Sequence, residues 1–309
     1  MISWSIYNLL LNSGLNKKDS FAGCLIFLFI PAVSFSSFII STDLFLLLFW
    51  TLSLNELIKI NSEQGLKNFI LLGIFLGLGF LSKYAAIYFV ICLFVLILFD
   101  KRFRKIFLDN LFGFCLTFLC VFVIIVPNII WNFNNDWITL QHTSDNANFG
   151  NIEIDLIRGL EFLLIQVLML GPFMVLGGIF GFNKWNYIQK IFLIFSMPII
   201  LIVLVEAIIV RANANWAAPA LISLFALLYI RINNSILKIA NYMFNFIVCL
   251  ILFVMIGMSY PSKIFDRISG INDYALKIYS GSSGGVVKNI VVSDRLLFSS
   301  LNFELRDKD

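Results

Sequence analysis

Long apolar runs broken by short polar intervals make up most of the chain: FAGCLIFLFIPAVSFSSFII at 21–40, LFLLLFWTLSL at 44–54, FILLGIFLGLGFL at 69–81 and YAAIYFVICLFVLILF at 84–99 open a series that continues to residue 258. A helix crossing a hydrocarbon core of roughly 30 Å needs about 20 mostly apolar residues, with shorter or interrupted runs tolerated where neighbours cover them. On that measure the pattern predicts spans near 20–40, 43–59, 66–82, 84–99, 107–127, 157–181, 188–210, 216–231 and 236–258. The expected fold is an all-α polytopic membrane protein of about nine transmembrane helices, with a short outer-face α/β tail at the C-terminus.

The polar intervals then orient the spans. NKKD (16–19), KINSEQGLK (59–67), DKRFRK (100–105), NKWNYIQK (183–190) and RINNSILK (231–238) fall on one side of a nine-span arrangement. An excess of Lys and Arg in short loops marks the cytoplasmic side. The other side receives Ser41-Thr42-Asp43, Ser82-Lys83-Tyr84, the stretch 128–156, Arg211 to Trp216 and the tail from Ser259. These segments, including the stretch 128–156 and the C-terminus, are expected on the outer (periplasmic) face of a cell inner membrane.

Composition agrees with the pattern. The 309 residues are 60% hydrophobic and 13% charged, and mean hydropathy is +0.94, against roughly 45–50% apolar and 25% charged in soluble domains. The net charge of +4 is explained by loop placement and does not imply nucleic acid. Cys24, Cys92, Cys115, Cys120 and Cys249 all lie in apolar runs without a CxxC pair. They read as small hydrophobes, and neither a disulfide framework nor a metal site is expected.

At the N-terminus, MISWSIYNLLL is about half a span and lacks the basic start and cleavage site of a signal peptide. It reads as the end of a helix whose beginning is missing. Beyond Tyr260 the composition turns soluble. GVVKNIVVSD (285–294) is expected to be a strand and RLLFSSLNFEL (295–305) a helix capped by Ser293 or Asp294. The expected domains are therefore a membrane domain over 1–258 and an outer-face segment over 259–309.

Candidate chemistry collects on the outer face. Asp43 opens a span, where it either complements the helix dipole within a Thr42-Asp43 cap or offers a carboxylate at the lip of a cavity. Lys83 and Arg211 are cations on the side where basic residues are depleted, which makes them candidates for holding a phosphate, with snorkelling as the plain alternative. Glu206 lies five residues before Arg211, a poor spacing for a helical ion pair. Asn213, Asn215 and Trp216 follow, side chains able to hydrogen-bond and stack on a sugar. PNIIWNFNNDWITLQHT (127–143) adds Trp131, Asn132, Asp136, Trp137 and His142. It is expected to form an outward-facing lid, with Asp136 a candidate acid or base. His142 has no HxxxH partner, and no metal ligation is expected of it.

STDLFLLLFW (41–50), GLGFLSKYAAI (77–87), PNIIWNFNNDWITLQHT and RANANWAAPAL (211–221), in this order and spacing, resemble the bacterial membrane glycosyltransferases of the GT-C class, related to protein O-mannosyltransferases and aminoarabinose transferases. The resemblance implies transfer of a sugar from a polyprenyl-phosphate donor to a lipid, glycan or protein acceptor on the outer face. It implies catalytic roles for Asp43 and Asp136, donor phosphate binding by Lys83 and Arg211, and sugar or acceptor contacts from Trp131, Asn132, Trp137, His142, Asn215 and Trp216. Whether a divalent cation takes part is left open. The partners it implies are the lipid-linked sugar and membrane lipids.

Members of the class carry a catalytic Asp-Glu pair in the first outer loop, for which residues 1–40 offer no counterpart. The chain is thus expected to be truncated at both ends, with a separately encoded N-terminal fragment as a candidate partner. An inactive remnant or partner subunit is the alternative reading. A small-molecule transporter is the more distant one, because it would need polar groups at mid-depth and broken spans in matched positions.

Overall fold

The structure is a computed structural model that describes residues 1–37, 41–147, 154–180, 185–210, 212–258, 275, 277–278, 291–293 and 295–306. Among these every regular element is helical. In chain order they are α1 (Ile2–Asn12), α2 (Lys17–Leu28), α3 (Pro31–Ser36), α4 (Thr42–Ser62), α5 (Leu66–Ser82), a 3₁₀ turn (Tyr84–Ala86), α6 (Ile87–Phe99), α7 (Lys101–Asp109) and α8 (Leu111–Asn134). After them come α9 (Ile138–Ala147), α10 (Leu156–Leu170), α11 (Pro172–Ile179), α12 (Tyr187–Ile194), α13 (Met197–Ile209), a second 3₁₀ turn (Ala214–Ala217), α14 (Ala218–Arg231), α15 (Ser235–Gly257) and α16 (Arg295–Glu304).

The chain forms two compact units, Met1–Phe246 and Ile247–Asp309. The second holds the end of α15 and α16. The helix expected at 295–305 is therefore present. The strand expected at 285–294 lies outside the described residues except for Val291 to Ser293, which belong to no regular element.

Among the described residues four stretches are long and apolar enough to cross a membrane, Leu111–Asn134, Tyr187–Ile209, Ala214–Arg231 and Ser235–Gly257, and two bent pairs bring the number to as many as six. The chain is an all-α, multi-pass membrane protein. The larger number expected from hydropathy differs for physical reasons. α4 has the length, at 21 residues, but Asp43, Asn55, Glu56 and Lys59 dilute its apolar run. α5 has the hydropathy but only 17 residues, and the run at 20–40 is interrupted before Pro31, which starts α3. The other break is at Gly171, whose φ of 95° turns α10 into α11 through 96°.

That break lies within an apolar run, so its freed backbone groups need partners. Asn241, fully buried on α15, supplies them: its side-chain oxygen accepts from the Met174 N–H at 3.0 Å and its amide donates to the Leu170 carbonyl at 3.4 Å. A side chain at 171 would also collide with Asn241, since an added Cβ would lie 2.1 Å from its oxygen.

Burial follows the logic of a lipid solvent. On α8, Phe112, Phe118 and Phe122 are more than half exposed, while Gly113, Thr117 and Asn132 are buried. Apolar side chains outside and small or polar ones inside is the arrangement hydrocarbon surroundings favour. The inward face of α8 packs on α5 through Gly73 and Gly77. A Cβ at Gly73 would fall 2.5 Å from the Thr117 carbonyl oxygen, and one at Gly77 2.9 Å from the Ile124 Cβ. Thr117 seals the contact by donating to the Phe69 carbonyl at 2.8 Å. An edge-to-face group of Trp50, Phe89 and Phe195, with centroids 4.7 to 6.3 Å apart, ties α4 to α6 and to the α12–α13 junction. Of the cysteines, Cys24, Cys92 and Cys249 are buried, Cys120 is half-buried and Cys115 is exposed.

Gly73→Val is expected to destabilise the protein by about 1–3 kcal/mol, the usual cost of overpacking, because the obstacle is the α8 backbone rather than a mobile side chain. Thermal unfolding of the detergent-solubilised protein measures it. A melting temperature equal to wild type would show that α5 and α8 are not in this contact.

Candidate functional site

The start of α4, the end of α5, the end of α8, the start of α10, the end of α13 and the start of α14 are linked at one end of the first unit. Asp43 lies in the first turn of α4, whose N-cap is Ser41. Its carboxylate reaches across to other elements instead of joining a Thr42-Asp43 cap. One oxygen accepts from the Lys83 ammonium at 2.5 Å, and the other from the Asn215 amide at 3.1 Å. The lysine and aspartate side chains are 31% and 26% exposed, so the pair is open to a ligand arriving from outside.

Lys83 is placed by a break in helical geometry. It is the C-cap of α5, with φ −163° and ψ 135°, and the 3₁₀ turn Tyr84–Ala86 begins directly after it. That extended residue turns the chain and sends the next side chain, Tyr84, toward α8. The Tyr84 hydroxyl lies 3.1 Å from the Asn128 side-chain oxygen, 2.8 Å from the Thr139 hydroxyl and 3.2 Å from the Asn132 amide that donates to it. Asn132 is 2% exposed and its amide is saturated, for it also meets the Asn128 carbonyl at 3.0 Å while its oxygen accepts from Thr139. A buried polar group held on every side is the arrangement that fixes geometry, and one partner lost leaves others unsatisfied.

The stretch 127–143 is more regular than the lid expected for it. Pro127 lies inside α8, which runs on to Asn134, and α9 begins at Ile138. The turn between them uses two positive-φ residues, Asp136 at 52° and Trp137 at 55°, an unusual conformation for side chains of this kind. The Asn132 carbonyl accepts from both the Asn135 and Trp137 N–H groups, at 3.1 and 2.9 Å, and the Gln141 amide donates to the Asp136 carbonyl at 2.7 Å. Trp131 and Trp137 are 48% and 41% exposed.

Of the sequence candidates, the structure brings Asp43, Lys83 and Asn215 into direct contact and joins Asn132 to them through Tyr84. Trp216 is half-buried and packs against the core. Trp131, Asp136 and Trp137 sit on the exposed α8–α9 corner, and among the described residues no hydrogen bond or ion pair links them to Asp43. Arg211 and the His142 side chain lie outside the described residues. Tyr84, Asn128 and Thr139 are members of the cluster that sequence reasoning passed over. Asn128 and Asn132 are four residues apart, a spacing that puts both amides on one helical face. That signal was hidden by reading the segment as a loop. Gln166 on α10 was also missed; it is 4% exposed and donates to the Ala214 carbonyl at 3.1 Å, bracing the turn that carries Asn215.

A second contact closes the same end. Asp155 caps α10 by accepting from the Ile157 N–H at 2.8 Å, pairs with the Arg158 guanidinium at 2.9 Å, and its own N–H donates to the Ile208 carbonyl of α13 at 2.8 Å. Arg158 also donates to the Val210 carbonyl. The hydrogen bond from Arg158, aided by that from the Ile157 N–H, holds the Asp155 carboxyl below the usual carboxylate range. Among the described residues no three His, Cys, Asp or Glu side chains gather in one place.

Residues 1–131 match a family model described as dolichyl-phosphate-mannose-protein mannosyltransferase, a stretch that includes Asp43, Lys83 and Asn128. The chain is 29% identical over 199 residues to lipid A galacturonosyltransferase RgtD of Rhizobium johnstonii (strain DSM 114642 / LMG 32736 / 3841). The alignment covers 63% of this chain and 41% of that protein, so the chain spans less than half the length of this curated relative. No solved structure matches.

Two outcomes are expected. Asn132→Leu removes one partner each from the Tyr84 and Thr139 hydroxyls and should lower stability by about 1–3 kcal/mol, whereas the double change Asn132→Leu, Tyr84→Phe should cost less than the sum of the singles; thermal melts in a mutant cycle measure both. For Asp155 the folded-state carboxyl lies below its unfolded value of about 3.9, so its contribution is present above that pH and is lost as pH falls through the lower folded value. Asp155→Asn should therefore flatten the acid limb of a stability-against-pH curve and leave its neutral-to-basic slope unchanged.

Proposed function

We propose, from the premise that this chain is of the GT-C class of bacterial membrane glycosyltransferases, that it transfers a sugar from a polyprenyl-phosphate donor to an acceptor hydroxyl at the outer face of the membrane. The observation that carries the reading is the Asp43 carboxylate bridging Lys83 and Asn215. Three of the four segments that resemble the class meet in it, and the fourth is tied to it through Tyr84. Nine spans, with the basic loops cytoplasmic and residues 128–156 and the C-terminus periplasmic, form the topology that goes with this reading. The division into a membrane domain and an outer-face tail belongs to the same proposal.

The chemistry follows from where the charges sit. An acceptor oxygen attacks the anomeric carbon, the bond from that carbon to the phosphate oxygen breaks, and the polyprenyl phosphate leaves with the bonding pair. The leaving phosphate gains charge, which the Lys83 ammonium stabilises, and Arg211 is the second cation assigned to it. The proton from the acceptor hydroxyl goes to a carboxylate, for which Asp43 and Asp136 are the candidates. Asn215, Trp216, Asn132, Trp131, Trp137 and His142 are assigned to the sugar and acceptor, by hydrogen bonding and stacking. The Lys83 ammonium has three donors and uses one on Asp43, which leaves two for a phosphate oxygen beside the carboxylate. The similarity to a lipid A galacturonosyltransferase makes a uronic acid donor and a lipid acceptor the first pair to try.

The test is transfer of radiolabel from polyprenyl-phosphate-linked galacturonic acid or mannose, with membranes containing this chain. Lys83→Ala is expected to reduce the rate by about 10²–10³-fold, as for loss of one charge-stabilising group. Asp43→Ala should reduce it by about 10²–10⁴-fold, as for loss of a general base. Transfer that survives both changes would remove the site assignment. The absence of transfer by the unaltered chain would favour the partner-subunit or remnant reading.

A further inference from the structure

The opposite end of the first unit carries a surface that the proposed reaction does not use. α7 follows α6 after a single residue, Asp100, and is bent from it by 105°. Four cations in its nine residues bar it from the hydrocarbon core. With α6 directed across the membrane, α7 lies along the surface. Its burial is two-sided: Phe103 and Ile106 are buried, while Lys101, Arg102, Arg104 and Lys105 are exposed.

The charge pattern is unfavourable for the helix by itself. All four cations fall in the first five positions, where the dipole is positive, the first turn holds no acidic residue, and the lone acid, Asp109, is at the C-terminal end. Lys101 and Lys105 are also a like-charge pair at four-residue spacing, which is destabilising in an isolated helix. Asp100, as N-cap, offsets part of this by accepting from the Phe103 N–H at 2.7 Å. The arginines, though exposed, have partners in the protein: Arg102 stacks over Tyr187 at 4.2 Å, and Arg104 donates to the Ile97 carbonyl at 3.0 Å. The surplus positive charge therefore faces outward through the two lysines.

Flanking the cations in sequence are large exposed apolar side chains, Phe99 at 78% exposed, Leu108 at 57% and Phe112 at 70%. Cations at one level with apolar groups next to them match a phospholipid at the boundary between headgroup and acyl chain. An acidic protein or a nucleic acid would leave the apolar part unpaired. We propose that α7 is a docking surface for anionic phospholipids, with the phosphodiester headgroup on Lys101 and Lys105 and the acyl chains along Phe99 and Phe112.

The experiment is native mass spectrometry of the full chain in detergent, titrated with phosphatidylglycerol or phosphatidylcholine. Wild type is expected to bind phosphatidylglycerol more tightly, with the preference shrinking as ammonium acetate is raised. In Lys101→Gln, Lys105→Gln the affinity for phosphatidylglycerol should fall about fivefold per lysine, the factor that corresponds to about 1 kcal/mol for each charge near an anionic surface. Phosphatidylcholine binding should not change, and Lys101→Arg, Lys105→Arg should restore the preference. Unchanged phosphatidylglycerol binding in the Gln variant, or equal loss for both lipids, would overturn the proposal. So would a wild-type preference indifferent to salt.

Discussion

A single carboxylate with two partners organises one end of the first unit of this protein. Asp43 cannot reach both the Lys83 ammonium and the Asn215 amide unless α4, α5 and the turn before α14 end at the same level. Those endings are separated by up to 172 residues of sequence. The contact is therefore a consequence of bundle geometry more than of local structure. A half-exposed ion pair contributes little to stability. Its importance lies in what it brings together, which is one anion, one cation and one neutral amide in a place that a lipid-borne headgroup could reach.

What holds the helix ends at that level lies deeper. The glycines at 73 and 77 let α5 approach α8 until backbone and side chain touch, and the aromatic group around Trp50 fixes α4 to α6 and to the α12–α13 junction. In a lipid solvent there is no hydrophobic drive to bring helices together, so close packing and hydrogen bonding between helices must do it. Thr117 on Phe69 and Asn241 across the Gly171 break are contacts of that kind. The same constraint sorts polarity along the chain. At the far end Lys59 pairs with Glu56, Tyr187 donates to Asp100, and Arg231 donates to the Gly178 carbonyl. Lys59 is sixteen residues along α4 from Asp43, about 24 Å at the usual helical rise.

Much of this was legible in the sequence because apolar runs and charge have no other use in such a chain. The helices appeared close to where hydropathy placed them, and Asp43, Lys83 and Asn215 were singled out from their position at span ends. What hydropathy could not see was where a run bends, since Gly171 acts through one positive φ and the turn to α7 through one capped residue. Nor could it see the role of 127–143. Polarity there suggested a loop, but the asparagines are polar because they face one another and Tyr84 inside a helical corner. The spacing of Asn128 and Asn132 contained that information, and only the assumption of helix would have released it.

Lys83 and Tyr84 connect the two halves of the site in a way that neither reveals alone. They are consecutive, and the extended backbone at Lys83 points them at different neighbours, the first at α4 and the second at α8 and α9. Any displacement of α9 that pulls Thr139 from Tyr84 must act on the residue next to the one that holds Asp43. The connection requires no long pathway, because it passes through one peptide unit, whose Lys83 carbonyl accepts from the Ala86 N–H at 3.0 Å. The corner formed by Asp136 and Trp137 is held in its rarely populated conformation by the Asn132 carbonyl, which accepts from the Trp137 N–H, and by the Gln141 amide, which donates to the Asp136 carbonyl. The corner is thus joined to the ion pair through Asn132, Tyr84 and the peptide that links Tyr84 to Lys83.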